Sequence, residues 1–379
     1  MTAEELDLIR SKLARNGGTW GPRDVVAALQ ESGMVVSDAL VLHVIDQLRQ
    51  TSQGAGRLEP LLQDPAVTDV LVNGPDQVMV DRGAGLHRAQ IQFSDDEEVR
   101  RLATRLATLA GRRLDDACPY VDARLPNGVR LHAILAPLAA PGTCISLRVP
   151  AKSGMSLQDW LANGSINNEL FVMLRKIIKA KASFLITGGT GTGKTTLLSS
   201  MLSEVPSQER LLVVEDSREL TPRHPHCVRL EARNANAEGS GRVSLTDLVR
   251  QALRMRPDRV ILGEVRGPEI CDLLTALNTG HEGGCGTIHA NSVADVPARI
   301  EALTALGGMD QQATQAQAGA ALDLVIHLKR EAGKRRVAEI GVFTNQDQQL
   351  QVIPALTWSG LGDFAPGPGY DRLLEVISR

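Results

Sequence analysis

The chain has 379 residues, a formal net charge of -3 at pH 7 and a hydrophobic fraction of 43%. A single hydrophobic core rarely extends beyond roughly 250 to 300 residues, so this length predicts two or three domains. The near-neutral charge excludes a global positive field of the kind that gathers polyanions, and nucleic acid is therefore not a predicted partner.

The cysteines and the N-terminus indicate the compartment. The five cysteines are scattered and contain no CxxC pair, which favours a reducing compartment over a disulfide framework or a zinc ribbon. The first residues are charged and lack an apolar signal core, and the longest uncharged run, 131–147, is shorter than the ~20 apolar residues of a spanning helix. We therefore expect a soluble, cytoplasmic chain that reaches a membrane only through partners.

The first half of the chain divides into two predicted domains. Residues 1–53 form a helical module, because apolar side chains recur at helical spacing in three segments (Leu6, Ile9 and Leu13; Val25, Val26 and Leu29; Val41, Val44, Ile45 and Leu48). Residues 55–150 predict a smaller α+β domain, with short strands separated by NGP and RGAG turns and one helix around Val99 to Leu109.

Residues 151–379 predict the largest domain. Helical and strand-like runs alternate along it, which indicates an α/β fold with a mainly parallel, doubly wound sheet.

The sequence SFLITGGTGTGKTT carries the clearest chemical signal in the chain. An apolar strand from Ser183 to Thr187 leads into a GxxxxGK[ST] loop and then into a helical pattern. Glycine-rich backbone N–H groups and a helix N-terminus bind phosphate, Lys194 reaches the β and γ phosphates, and Thr195 offers a hydroxyl to Mg²⁺. The predicted nucleotide-binding residues are Gly188, Gly189, Thr190, Gly191, Thr192, Gly193, Lys194, Thr195 and Thr196.

Three further strand ends carry candidate catalytic groups. Glu215 ends LLVVE, Glu264 follows the apolar run RVILG, and His289 lies near the end of GTIHA. Ligands of open α/β sheets bind beyond the carboxyl ends of the strands, so we expect these three side chains to converge on the bound phosphates. Phosphoryl transfer to water needs charge neutralisation and a positioned water. We predict Glu215 as the general base, and Glu264 as the acid that holds Mg²⁺ through water.

Each of these assignments has an alternative. Either acid could instead cap the helix that follows it, and a lone histidine at a strand end is more often structural. We also expect Gly263 to keep bulk away from the metal, Arg259 to have a structural role, and Arg266 to brace the acidic cluster or a subunit boundary.

Two arginines flank a predicted β-hairpin. In VDARLPNGVRLHAIL a PNG turn places Arg124 and Arg130 opposite each other on one face, with Arg148 as a weaker third member. Like charges opposed in a sheet are destabilising unless an anion lies between them. The two interpretations are solvated surface arginines and a phosphate clamp that acts on nucleotide held by another subunit.

Together these motifs resemble the secretion ATPases of the type II and type IV secretion superfamily, most closely the Tad/CpaF branch that drives pilus assembly. The resemblance covers residues 58–330 and rests on GGTGTGKTT as Walker A, VVEDSREL as the Asp box, LRMRPDRVILGEVRGPE as Walker B and LNTGHEGGCGTIHANS as the His box.

The resemblance implies a RecA-like P-loop domain that hydrolyses ATP with Mg²⁺. Glu215 and Glu219 then belong to the Asp box, Glu264 is the Walker B acid and His289 the His-box residue. It also implies a hexamer, a polytopic inner-membrane platform protein as partner, and a position at the inner face of the cytoplasmic membrane.

Several alternatives stay open. A VirB-type or conjugal-transfer traffic ATPase is the nearest. A RecA-like DNA motor shares the phosphate chemistry but needs stacking aromatics, and aromatics make up only 3% of this chain. A zinc site at His224, His226 and Cys227 lacks a fourth ligand, and a flexible, glycine-rich setting disfavours a nucleophilic pair of Cys285 and His289.

Overall fold

The computed structural model describes residues 8–9, 12–13, 21–34, 36–42, 44–45, 54–83, 85–150, 154–233, 240–331, 333–346 and 349–379. It contains two compact units, Met1–Lys152 and Ser153–Arg379. Leu6 and Leu48, which we assigned to the helical stripes, lie outside the described residues. Within the described ranges, no helix is both long enough and apolar enough to span a bilayer.

The beginning of the first unit is helical, as predicted. Helix α1 spans Pro22–Glu31, and residues 8–9, 12–13, 38–42 and 44–45 are also helical. One buried cluster contains most of the predicted stripe residues together with Ala28: Ile9, Leu13, Val25, Ala28, Leu29, Val41, Val44 and Ile45. Val26, also assigned to a stripe, is partly buried and packs against this cluster.

The rest of the first unit is an antiparallel sheet with two helices. Helix α2 spans Glu59–Gln63, and α3 spans Asp96–Leu109 with Asp95 as its N-cap, accepting a hydrogen bond from the Glu98 N–H at 2.8 Å. The strands are β1 Asp69–Asn73, β2 Val78–Asp81, β3 Leu86–Arg88, β4 Tyr120–Arg124, β5 Arg130–Ile134 and β6 Cys144–Arg148, in the order β3-β2-β1-β6-β5-β4. Alternate strand residues are buried, as in β1, which gives one face to a core shared with α3.

The second unit is built on a nine-stranded sheet, whose order is β15-β14-β13-β12-β7-β11-β10-β8-β9. Its strands are β7 Phe184–Gly188, β8 Leu211–Glu215, β9 Cys227–Glu231, β10 Arg259–Val265, β11 Cys285–Ile288, β12 Leu324–Glu331, β13 Lys334–Gln346, β14 Gln349–Thr357 and β15 Ala365–Pro366. The six strands from β12 to β9 are parallel to one another, whereas the pairings of β12 with β13, β13 with β14 and β14 with β15 are antiparallel. The predicted mainly parallel α/β sheet is therefore confirmed.

Helices cover both faces of this sheet. They are α4 Leu157–Ala162, α5 Asn168–Lys179, α6 Lys194–Leu202, α7 Leu245–Ala252, α8 Glu269–Leu277, α9 Val296–Leu306, α10 Gln311–Ala321 and α11 Tyr370–Ile377. Consecutive residues of β7 point to opposite cores: Ile186 packs with α4, α5, α6 and α11, while Leu185 packs with α7 to α10. Burial on both faces explains why the central strands are continuous apolar runs.

The sheet topology gathers the functional motifs at one edge. Strand β7 lies between β12 and β11, with Gly188 in register with Leu328 and Thr187 in register with Ile288. Because the strands are parallel, the loop after β7 is flanked by the carboxyl ends of both neighbours.

Candidate active site

The loop between β7 and α6 has the shape of a phosphate cradle. Gly191 and Gly193 have φ values of +73° and +95°, in the left-handed region that only glycine adopts without strain. A Cβ on Gly188 would lie 2.5 Å from the Leu328 carbonyl oxygen, so the loop also packs tightly against β12. The free N–H groups of the first turn of α6 point toward this cradle, which favours an anion there.

Lys194 lies inside this cradle and is largely desolvated. Its side chain is buried, and Nζ donates hydrogen bonds to the carbonyl oxygens of Gly188 at 3.0 Å and Gly189 at 2.9 Å. Burial lowers the pKa of Lys194, and the negative charges of Glu264 and Glu219 oppose that shift. The ammonium is therefore placed where an additional anion gains much from binding it.

Glu264, His289 and Arg266 form one network beside Lys194. Glu264 Oε1 lies 2.8 Å from His289 Nε2, and Arg266 donates to Glu264 Oε2 at 2.5 Å. Although burial raises the pKa of Glu264, the combined effect of Arg266, His289 and Lys194 holds it below its ordinary value. Glu264 is therefore a carboxylate at neutral pH.

His289 complements that carboxylate as a neutral donor. Its pKa lies below the ordinary value of 6.5, first because of burial and then because of Lys194. A neutral imidazole within 2.8 Å of a carboxylate places its proton on Nε2 and donates it to Glu264. Arg266 also lies 3.8 Å from Asp216, so it braces the acidic cluster, which is one of the two roles considered for it.

Glu215 occupies a different environment from Glu264. It is 3% exposed, and its Oε1 accepts hydrogen bonds from the backbone N–H groups of Glu219 and Leu220, both at 2.8 Å. Its other oxygen lies 3.7 Å from an Arg229 nitrogen. Burial raises the pKa of Glu215 above its ordinary value. This carboxylate holds the loop that follows β8 and does not face the phosphate cradle as an accessible group.

Gly263 explains how Glu215 is buried, and our interpretation of that glycine was wrong. A Cβ on Gly263 would lie 2.5 Å from Glu215 Cγ, 3.1 Å from its Oε1 and 3.3 Å from its Cδ. The glycine therefore makes room for the side chain of the neighbouring strand rather than for a metal.

Arg259, at the start of the same strand β10, has the structural role we predicted. It is fully buried and donates to Glu209 at 2.7 Å and to the Ile178 carbonyl at 2.9 Å.

Arg124 and Arg130 lie in the first unit and are cross-strand partners, as the hairpin predicted. Arg148 continues the row, because it is in register with Arg130 on the next strand. Arg130 donates to both Asp122 oxygens, at 2.8 and 3.2 Å, and Arg124 donates to the Gly128 carbonyl at 3.2 Å. Arg124 and Arg130 thus each have a partner within their own hairpin.

Two residues near the cradle were missed from the sequence. Arg335 Nε donates to the Gly191 carbonyl at 3.2 Å, and an Arg330 nitrogen lies 3.7 Å from where a Gly191 Cβ would be. The sequence feature from which they could have been predicted is the basic segment KREAGKRR, which directly follows the strand LVIHL.

The donor set of the cradle suits magnesium. Thr195, half-buried in the first turn of α6, offers a hydroxyl, and Glu264 offers a carboxylate. Magnesium is typically held by one or two such oxygens together with waters and phosphate oxygens. The described part of the chain holds no group of three or more His, Cys, Asp or Glu side chains that could bind a metal by themselves.

The geometry supports neither the zinc site at His224 and His226 nor a nucleophilic Cys285. His224 contacts the Pro206 carbonyl and His226 contacts Arg210, at 3.0 and 2.8 Å. Cys285 is buried in β11, and burial raises its pKa to about 12, so it stays a thiol at neutral pH. A thiol lacks the thiolate character that nucleophilic attack requires.

Comparison with known proteins places this site in a family context. A family model described as type II/IV secretion system protein matches residues 51–353. A putative conjugal transfer protein of Mycobacterium tuberculosis is 52% identical over 326 residues, which are 84% of this chain and 93% of that protein. The type IV secretion system protein VirB11 of Brucella suis is 30% identical over 260 residues, which are 62% of this chain and 72% of VirB11.

One solved structure, at low sequence identity, supports the fold but carries no information on function. The X-ray structure of the Yersinia pseudotuberculosis ATPase DotB aligns with a TM-score of 0.56 at 18% identity, covering 77% of this chain and 79% of that one. It agrees with the predicted RecA-like P-loop architecture. None of the relatives named here singles out the Tad/CpaF branch. Because the family model matches most of its length, the chain belongs to the type II/IV secretion system protein family.

Proposed function

We propose that the chain hydrolyses ATP with Mg²⁺ and that a hexamer of it uses this hydrolysis to drive assembly or export by a secretion system. The observation that supports this most directly is the grouping of Lys194, Glu264 and His289 at the glycine-rich loop. A buried cation, an ionised acid and a neutral donor at one strand edge suit phosphoryl transfer to water.

In this mechanism the loop N–H groups and Lys194 hold the phosphates, and Thr195 and Glu264 hold Mg²⁺, the latter through water. Bound magnesium supplies charge neutralisation on the phosphate oxygens. His289 and Arg266 fix the Glu264 carboxylate from both of its oxygens, so the acid is oriented before nucleotide binds.

We propose Glu219, and no longer Glu215, as the general base. The general base must reach a water beside the γ-phosphate, and Glu215 is nearly inaccessible, with Oε1 committed to the backbone. Glu219 is exposed on the loop that Glu215 holds, and its charge acts on Lys194. Glu215 is then a positioning residue for that loop.

Two hypotheses remain for what the ATPase assembles or transports. Our sequence-based hypothesis is a Tad-like pilus motor that acts on a polytopic inner-membrane platform protein at the cytoplasmic face. The name of the Mycobacterium tuberculosis relative and the similarity to VirB11 support a conjugal or VirB-type traffic ATPase equally well. Deleting the gene and scoring both surface pili and DNA transfer separates the two hypotheses, because each predicts loss of one process only.

The ATPase mechanism is tested with Glu264→Gln. The variant should retain ATP binding and lose at least about 100-fold in turnover, because an oriented acid contributes on this scale. Lys194→Ala should lose binding as well, while Glu375→Gln, an exposed acid on α11, should behave as wild type. Wild-type turnover in Glu264→Gln would overturn the mechanism, and strong stimulation by single-stranded DNA would favour the DNA-motor alternative.

A further inference from the structure

The hairpin between β12 and β13 extends directly beside the phosphate loop. Strand β12 runs parallel to β7, with Leu328 in register with Gly188, the last residue of β7. Residues 329–331 therefore continue past the point where β7 turns into the loop, and β13 returns from Lys334. The tip of this hairpin holds five basic residues and one acid: Lys329, Arg330, Glu331, Lys334, Arg335 and Arg336.

The hairpin sorts these charges onto two faces. Arg330 and Arg335 are direct cross-strand partners and share one face, whereas Glu331 pairs in register with Lys334. Arg336 donates to both oxygens of Glu331, at 2.8 and 3.2 Å. The only acid among these six residues is thus neutralised on the opposite face from Arg330 and Arg335.

The face with Arg330 and Arg335 is the one that contacts the phosphate loop. Arg335 Nε donates to the Gly191 carbonyl at 3.2 Å, and Arg335 Cδ lies 3.3 Å from where a Gly193 Cβ would be. An Arg330 nitrogen lies 3.7 Å from the corresponding position on Gly191. A side chain at either glycine would crowd these arginines, so the two elements are packed together.

Two arginines in direct opposition are electrostatically unfavourable without an anion. Burial, and then the charge of Arg330, lower the pKa of Arg335. Lys194, whose Nζ contacts the Gly188 and Gly189 carbonyls, adds a third cation at the same loop. A polyphosphate held by the loop N–H groups would relieve this repulsion, and the planar guanidinium groups suit bidentate contacts with phosphate oxygens.

We propose that Arg330 and Arg335 bind the phosphate chain of the nucleotide and form a cationic wall supplied by the same subunit. This inference rests on the proposed function, since it assumes that the loop holds a nucleotide. The contacts lie at Gly191 and Gly193, in the part of the loop that cradles the α and β phosphates. The wall therefore serves nucleoside diphosphates and triphosphates alike.

The test measures nucleotide affinity of the full-length chain by calorimetry, with Mg-ADP and a non-hydrolysable Mg-ATP analogue at several KCl concentrations. The double change Arg330→Gln and Arg335→Gln should weaken the Kd for both nucleotides about tenfold or more, because charge-assisted hydrogen bonds are lost. The affinity should also become less dependent on salt. Lys334→Gln removes a charge from the opposite face of the same tip and should change the Kd less than about twofold.

Further variants separate binding from a purely structural role. Replacing both arginines by lysine keeps the charge and should restore most of the affinity and its salt dependence. If the double glutamine variant does not fold, Arg330→Gln alone, which leaves the bond from Arg335 to Gly191 in place, should still weaken both Kd values about threefold or more.

Wild-type affinity in the glutamine variants would overturn the proposal. So would a lysine pair as weak as the glutamine pair, because the effect would then not depend on charge. If wild type binds nucleotide but does not hydrolyse it, while the glutamine pair weakens binding, the proposed function fails and this inference stands.

Discussion

Replacing Gly263 by alanine should destabilise the second unit through one identified clash. The three nearest atoms to the new Cβ all belong to Glu215, at 2.5, 3.1 and 3.3 Å. Glu215 cannot move away freely, because it is 3% exposed and its Oε1 holds the N–H groups of Glu219 and Leu220. Overpacking of this kind costs about 1–3 kcal/mol.

The free-energy cost of the clash between the new Cβ and Glu215 is best isolated by a double-mutant cycle with Glu215→Ala. That change removes all three close atoms and by itself should cost about 2–4 kcal/mol, because the backbone N–H groups of Glu219 and Leu220 lose their acceptor. In its background, Gly263→Ala should become neutral or stabilise by up to about 1 kcal/mol, because alanine restricts the unfolded chain and Gly263 has no positive φ. The sign of the alanine effect is therefore expected to reverse.

Urea unfolding followed by tryptophan fluorescence is a suitable assay, because Trp160 and Trp358 are both buried in the second unit. Gly286→Ala is the matched control. Its Cβ would lie 2.9 Å from the Leu262 backbone oxygen, which Glu215→Ala does not remove, so its cost should be the same in both backgrounds. Additive effects of Gly263→Ala and Glu215→Ala would refute the contact on which the argument depends.

Two further predictions concern Glu215 and the arginine row. Burial raises the pKa of Glu215 above 4.5, so its contribution to stability is present below pH 4.5 and is lost as the pH rises through the raised value. Relative to wild type, Glu215→Gln should gain stability as the pH rises above 4.5 and through the raised pKa of Glu215, and a constant difference in urea midpoint would contradict this. Replacing Arg124 and Arg130 by glutamine should lower turnover at least about tenfold in the assembled protein if they act on nucleotide in another subunit. Arg101→Gln, an exposed arginine on α3, is the control, and wild-type turnover in the double variant would exclude the clamp.

Local sequence patterns predicted much of this molecule. The strand, loop and helix around Lys194 and the opposition of Arg124 and Arg130 depend on residues close together in the chain. Spacing and turn chemistry are sufficient for such features.

The remaining features depend on pairings between distant segments. Glu215 meets Gly263 only because β8 and β10 are neighbours in register, and Arg335 reaches Gly191 only because β12 inserts beside β7. The same neighbourhood joins the Ser183 N–H to Asp323, which lies 140 residues later in the sequence. Periodicity within one segment carries no information on such partners, so the cationic hairpin and the burial of Glu215 were not predictable from it.

The contrast between Glu215 and Glu264 shows that chemical type and strand-end position do not decide a carboxylate's role. Both residues lie at or near the end of a parallel strand at the same edge of the sheet. Gly263 leaves space on one side of β10, and the side chain of Glu215 fills it. Glu215 Oε1 accepts hydrogen bonds from the backbone N–H groups of Glu219 and Leu220. Glu264, the next residue along β10, meets Arg266, His289 and Lys194, which favour its charged form. A glycine immediately before one acid can therefore direct the acid of the neighbouring strand into a structural role, which in the mechanism we propose leaves Glu264 to act at the phosphates.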